Sequence, residues 1–184
     1  MATRLSRRSR VLVAVALTAA MSSSLTLRLW VFPRVDDPGS ADAVIVLGGG
    51  GPRERAGIDL IVDGVADTLV FFTPFVEEVG FYAVRSCNSR PERLAEEVAL
   101  ECLIPEPGTT RGEVREIARQ AEARDWDEIV VVASTDQITR ARILLARCWN
   151  GDARFTGPDH SDPWWVRVVY EAGATAKALT TTGC

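Results

Sequence analysis

Three stretches of the chain are apolar without interruption or nearly so: Ala43-Val44-Ile45-Val46-Leu47, Thr68-Leu69-Val70-Phe71-Phe72 and Glu128-Ile129-Val130-Val131-Val132-Ala133. Short β-branched runs with no polar alternation predict strands buried on both faces, as a parallel sheet requires. Glu101-Cys102-Leu103-Ile104-Pro105 predicts a further strand, closed by its proline. Between these runs the pattern changes to helical spacing. A helix is predicted over 53–63, with Ala56, Leu60 and Ile61 on one side and Gly64 as its stop. A second spans 111–124, capped by Thr109 or Thr110, with Glu113 and Glu116 in its first turns. A third runs 137–148 after the capping triplet Ser134-Thr135-Asp136, and a last one 164–179. A short helix is expected at 92–97, whereas 86–91 and 151–163 read as loops, the latter broken by Gly157, Pro158 and Pro163.

Strands alternating with helices at this spacing imply βαβ units. The expected fold is therefore α/β, a Rossmann-like three-layer sandwich with a mostly parallel sheet. In such sheets ligands bind beyond the carboxyl ends of the strands. That places interest on two turns, 48–55 and 134–140.

Ahead of the domain the pattern is different. Arg4, Arg7, Arg8 and Arg10 precede an apolar run from Val11 to Met21, followed by Ser22, Ser23 and Ser24. The run alone suits a signal h-region; counted on to Leu27 it makes a short membrane anchor. Thr18-Ala19-Ala20 is a poor cleavage site, so residues 1–33 read as an uncleaved signal-anchor. Arginines before the run predict a cytoplasmic N-terminus and an extracytoplasmic body on a single-pass membrane protein. Residues 34–40, with Asp36, Asp37, Pro38 and Gly39, read as a linker to a domain over 41–184.

Composition narrows the function. The 184-residue chain is long enough for a real core, and 47% hydrophobic with 25% charged residues is ordinary globular usage. Setting the four N-terminal arginines aside turns the net charge of −4 into −8 for the remainder. An acidic body argues against nucleic acid as a partner. Four dispersed cysteines, Cys87, Cys102, Cys148 and Cys184, with one histidine, His160, argue against a metal site and fit disulfides in an oxidising compartment. Their three possible pairings stay open on spacing alone.

Candidate chemistry follows from the two turns. Gly48, Gly49, Gly50 and Gly51 let backbone N–H groups approach an anion at a helix start, with Arg53 and Arg55 for charge. The run is neither GxGxxG nor a Walker loop, and no motif specifies a cofactor. Thr110 and Glu113 open the next helix, either facing the same crevice or serving as caps. Ser134, Gln137 and Arg140 follow the third buried run; Arg140 can clamp a phosphate or carboxylate, or pair with an acid inside the fold. Nucleophilic catalysis has little support, since no GxSxG elbow exists and a triad would need His160. Glu77-Glu78 and Glu96-Glu97 are adjacent, so their side chains diverge, and Trp164-Trp165 and Tyr170 read as packing.

Asp42-Ala43-Val44-Ile45-Val46-Leu47-Gly48-Gly49, then Arg55-Ala56 and Gly64, resembles the opening of YdcF/SanA/ElyC-like envelope proteins. Thr110-Arg111-Gly112-Glu113-Val114, Val131-Val132-Ala133-Ser134 and Arg140-Ala141-Arg142 resemble that family's second half, and Tyr170-Glu171 to Lys177-Ala178-Leu179 its last helix. The resemblance covers 41–184 and implies a single N-terminal anchor, the pairings Cys87–Cys102 and Cys148–Cys184, and a role in cell-envelope maintenance, in peptidoglycan or lipid-carrier metabolism. It also implies a ligand of nucleotide type, S-adenosylmethionine among them, although an exported protein seldom meets that cofactor. One departure stands out: Gln137 occupies a position where the family usually carries histidine, and glutamine cannot serve as an acid or base near neutrality. Two functions are thus expected. One is binding of a phosphate-bearing envelope ligand at the sheet edge through Gly48–Gly51, Arg55, Thr110, Glu113, Ser134, Gln137 and Arg140. The other is a non-catalytic envelope interaction module that has lost the family's chemistry.

Overall fold

The computed structural model describes residues 6–158 and 163–184, leaving His160 outside them. Its centre is a five-stranded sheet of β1 (Ala43–Val46), β2 (Thr68–Phe72), β5 (Ala99–Leu103), β6 (Glu128–Val132) and β7 (Asp152–Thr156). The spatial order is β5-β2-β1-β6-β7, and every pairing is parallel. The three apolar runs occupy the three central places, where both faces must be covered, which is why they lack polar alternation.

Alternate side chains divide between two apolar layers. Ala43, Ile45 and Leu47 of the β1 run point toward α3 (Thr110–Arg124), α4 (Thr135–Leu145) and α5 (Trp164–Thr180). Val44 and Val46 point the other way, toward α2 (Pro52–Val62) and an irregular segment carrying Val84, Leu94 and Val98. Gly57 brings α2 close to the sheet, for a Cβ there would sit 2.4 Å from Val46 Cγ2. The architecture is the expected α/β three-layer sandwich.

Two local expectations need correction. Residues 92–97 form turns, not a helix. Leu94 and Val98 close tight turns onto Pro91 and Ala95, and the Arg90 guanidinium donates to the carbonyls of Ala95 and Val98. The expected loop over 151–163 contains β7, an edge strand in which only Phe155 is fully buried. With Asp152 and Arg154 in it, β7 has no apolar run to announce it. A small hairpin, β3 (Phe75–Val76) with β4 (Phe81–Tyr82), lies between β2 and β5.

Cys87 is bonded to Cys102 and Cys148 to Cys184, with Cα separations of 5.9 and 4.8 Å. The first bond packs against the α2 layer, and the second joins the chain end to the turn after α4. At the other end, α1 (Arg7–Thr26) continues through a π-helical turn, Leu27–Val31. These 25 residues are long and apolar enough to cross a membrane, and none of the most apolar window is buried against the domain. The helix is therefore longer than the apolar run counted to Leu27.

The turn after α1 is not loosely attached. Trp30 Nε1 donates to Thr175 Oγ1 at 3.3 Å, and Thr139 Oγ1 donates to the Leu29 carbonyl at 2.5 Å. Beyond it, Asp36 N donates to the Phe155 carbonyl and Asp36 Oδ2 accepts from Phe155 N, both at 2.9 Å. The segment that joins α1 to the domain thus covers the open edge of β7, a common way to protect unpaired strand groups.

Candidate functional site

A cavity of about 710 Å³ lies at the carboxyl ends of β1, β2 and β5, on the α3–α4–α5 side of the sheet. Its floor is Gly48, Phe72 and Thr73, where the strands end. One wall is the loop Ile104–Thr109 with the amino end of α3; the other is Gln137 and Arg140 of α4 with Tyr170, Ala174 and Lys177 of α5.

The start of α3 owes its shape to Thr109 and Gly112. Thr109 caps the helix, its hydroxyl accepting from Gly112 N at 3.3 Å and its carbonyl from Glu113 N at 2.9 Å. Gly112 admits the preceding loop, since a Cβ there would lie 1.9 Å from the Pro107 carbonyl oxygen. The N–H groups of Thr110 and Arg111, in the first turn, have no acceptor within the helix, and both residues line the cavity.

Glu113 is the acid of the site. Its carboxyl is buried, and Oε1 accepts a short bond from Gly48 N at 2.5 Å. Burial raises its pKa above the ordinary carboxylate value; the Gly48 N–H, the charges of Arg53 and Arg140 and the Thr110 hydroxyl pull the other way without reversing the shift. A carboxyl so placed can keep its proton nearer to neutrality than a surface glutamate can, and can offer it to a ligand in the cavity.

Of the two roles open to Arg140, the structure shows the pairing with an acid. Its Nε and Nη2 lie 2.8 and 2.9 Å from the two oxygens of Glu171, and Nη1 donates to Thr110 Oγ1 at 2.8 Å. Burial alone would lower its pKa, but the bonds to Glu171 outweigh that and raise it. All three nitrogens have partners in the protein, so the inward ion pair is the arrangement found. Its acid is Glu171, next to the cavity-lining Tyr170 and about one turn before Ala174 on α5.

The glycine turn is also used internally. Gly48 reaches the cavity, whereas Gly49, Gly50 and Gly51 do not line it. At Gly49, φ is +125° and a Cβ would fall 1.6 Å from Arg53 Nη2, so the bare backbone makes room for the Arg53 side chain folded over it. Gly51, at φ +72°, is the N-cap of α2 in a conformation that favours glycine. Arg53 Nη1 donates to Gln137 Oε1 at 3.0 Å, and burial lowers the Arg53 pKa against the charges of Glu113 and Asp136. Arg55 is exposed on α2 and does not line the cavity; the arginine of this loop that faces Glu113 is Arg53. Ser134 is the buried N-cap of α4 and makes no side-chain cap bond, and it stays outside the cavity wall.

Of the ten predicted site residues, the structure thus gathers Gly48, Thr110, Glu113, Gln137 and Arg140 around one cavity. It adds Thr73, Arg111 and Lys177, which were not among the candidate site residues. Lys177 is the only lysine of the chain, a rarity visible in the sequence but without a location until α5 packs.

Compared with known proteins, the chain matches no family model, no curated protein and no solved structure.

Proposed function

We propose that this is a membrane-anchored, extracytoplasmic protein of the cell envelope that binds a phosphate-bearing ligand in the cavity at the carboxyl edge of its sheet. The observation that carries the proposal is the convergence on one cavity of the open amino end of α3, the hydroxyls of Thr109 and Thr110, and the cations Arg111 and Lys177. Helix N-termini favour anions through their unpaired N–H groups and dipole, and flanking cations add to this. Phe72, Ile104, Pro105 and Leu144 line the same space, so a ligand with an apolar part next to its phosphate suits it better than free phosphate. The anchoring part rests on α1 and on the two disulfides, which an oxidising compartment favours. Membership of the YdcF/SanA/ElyC-like family is part of the proposal, supported by the order and spacing of the sequence motifs.

A second reading has its own support. Arg53 and Gln137 are bonded to each other, and Arg140 to Glu171 and Thr110, which suits a non-catalytic interaction module. One experiment separates the two. The full-length protein in detergent, disulfides intact, is melted with inorganic phosphate, a nucleotide-sugar, a polyisoprenyl phosphate and S-adenosylmethionine. A ligand at a hundred times its dissociation constant stabilises by about 2.7 kcal/mol, a shift of several degrees. Lys177→Ala and Arg111→Ala should each reduce a phosphate-dependent shift. Absence of a shift with every phosphate compound would discard the phosphate-binding reading in favour of the module.

A further inference from the structure

Helix α5 has three sides, and only two are accounted for. At about 100° per residue, Thr175, which Trp30 bonds, lies on one flank, while Tyr170, Ala174 and Lys177 lie on the other and line the cavity. Between them, on the outward side, runs a face that passes through Trp165, Val169, Ala176 and Leu179 and contains no charged residue. In a chain with 25% charged residues, an outward helix face without one is unusual. It is also strongly exposed: Trp165 by 60%, Val169 by 73% and Leu179 by 58%. Phe32, just beyond the π-helical turn, is exposed by 72%.

The candidate membrane span ends at Val31, and its last turn is hydrogen-bonded to α5 through Trp30 and to α4 through Leu29. The apolar face therefore lies on the helix to which the end of the candidate span is bonded. Tryptophan and tyrosine at such a level sit well among lipid headgroups, and an uncharged apolar helix face gains by burial there.

From this continuity we infer that the outward face of α5 rests on the bilayer surface, seating the domain against the lipid with the Tyr170–Lys177 rim of the cavity at headgroup level. The inference rests on the reading of α1 as a membrane span. The partner is the lipid bilayer itself, contacted chiefly through Trp165, Val169 and Leu179.

The test uses the full-length chain in phosphatidylcholine–phosphatidylglycerol nanodiscs. All four native cysteines are in disulfides, so a nitroxide label attaches to one introduced thiol in each of V169C, V15C and D63C. Collisions of the label with oxygen, which concentrates in lipid, are compared with those of a water-soluble nickel chelate. At 169 and 15 oxygen should dominate, and at 63, on the exposed end of α2, the chelate should. If 169 behaves like 63 while 15 reports lipid, α5 does not touch the bilayer and the inference falls, with the anchor intact. If 15 also reports water, the anchor reading fails and takes the inference with it.

Discussion

Arg140 and Glu171 form a two-pronged ion pair, Nε to Oε2 at 2.8 Å and Nη2 to Oε1 at 2.9 Å, between α4 and α5. The carboxylate side chain is fully buried and the guanidinium is 12% exposed. Through Nη1 and the Thr110 hydroxyl the same arginine reaches α3. Three helices that wall the cavity are thereby held in one register by a single side chain.

This pairing predicts the response to mutation. Arg140→Ala leaves Glu171 buried without its partner and should cost about 3–5 kcal/mol. Replacing both members with apolar residues, Arg140→Met with Glu171→Leu, removes the stranded charge and should recover most of that loss. Denaturant unfolding of the three proteins checks this. A double variant no more stable than Arg140→Ala would mean that the pair contributes through more than mutual neutralisation.

Glu113 predicts a pH dependence of known sign. Its folded pKa is raised above the ordinary value of 4.5, so the folded state holds the proton more tightly than the unfolded chain. The corresponding stability is complete below the unfolded pKa and is lost as pH rises through the folded pKa. Glu113→Gln resembles the protonated form and lacks this loss. The melting temperature of Glu113→Gln relative to the native protein should therefore increase from pH 4 to pH 8. A difference that decreases over that range would show Glu113 ionised and held by Arg53 and Arg140, unfit to donate a proton.

The uneven legibility of this fold has a physical basis. β1, β2 and β6 were readable because a strand covered on both faces must be apolar throughout, and that demand is written in adjacent residues. β7 was not, because an edge strand needs only Phe155 inward, and its outer groups are satisfied by Asp36, more than a hundred residues away. The site divides similarly. Glu113 and Thr110 could be placed at a helix start from local pattern, but the partner of Arg140 could not, since Glu171 meets it only after α5 packs on α4. Arg53 and Arg55 differ by two positions on one helix, and only packing decides which turns inward.

Gly112 predicts a defect confined to one wall. Its missing Cβ is the space taken by the Pro107 carbonyl, so Gly112→Ala must displace the 105–109 loop or distort the first turn of α3. Overpacking of this kind costs about 1–3 kcal/mol. Phosphate-dependent stabilisation should fall at the same time, because that loop and that turn both line the cavity. Destabilisation with undiminished ligand response would separate the loop from the binding site.

Asp36 predicts how firmly the segment between α1 and the domain is seated. Burial would raise its pKa, but the Phe155 N–H and the Arg142 guanidinium, with Arg34, lower it overall. Its contribution is present above the ordinary value of 3.8 and lost as pH falls through the folded pKa. Asp36→Asn should release the segment by about 1.5 kcal/mol, which speeds trypsin cleavage after Arg34 by roughly tenfold at neutral pH. In acid, where trypsin does not act, the unfolding midpoints of the two proteins should converge; an equal cleavage rate already at pH 7 would show that backbone pairing with Phe155 suffices.

The two disulfides separate stability from binding. They close chain separations of 15 and 36 residues, so loop entropy assigns about 3 kcal/mol to Cys87–Cys102 and about 4 kcal/mol to Cys148–Cys184. Their positions differ more than their energies. Cys87–Cys102 lies against the α2 layer, on the sheet face away from the cavity. Cys148–Cys184 ties the chain end beside α5, where Arg115 also bonds the Cys184 carbonyl, Arg111 the Thr181 carbonyl and Arg147 those of Ala178 and Thr181. Lys177, Ala178 and Thr181 line the cavity, so loosening this end should enlarge the site as well as destabilise the fold. Replacing both cysteines of each bond by serine should lower the melting temperature in both variants. Phosphate-dependent stabilisation should drop only when Cys148 and Cys184 are replaced, and an equal drop in both would mean that the wall at α5 is set by the global fold and not by its clamped end.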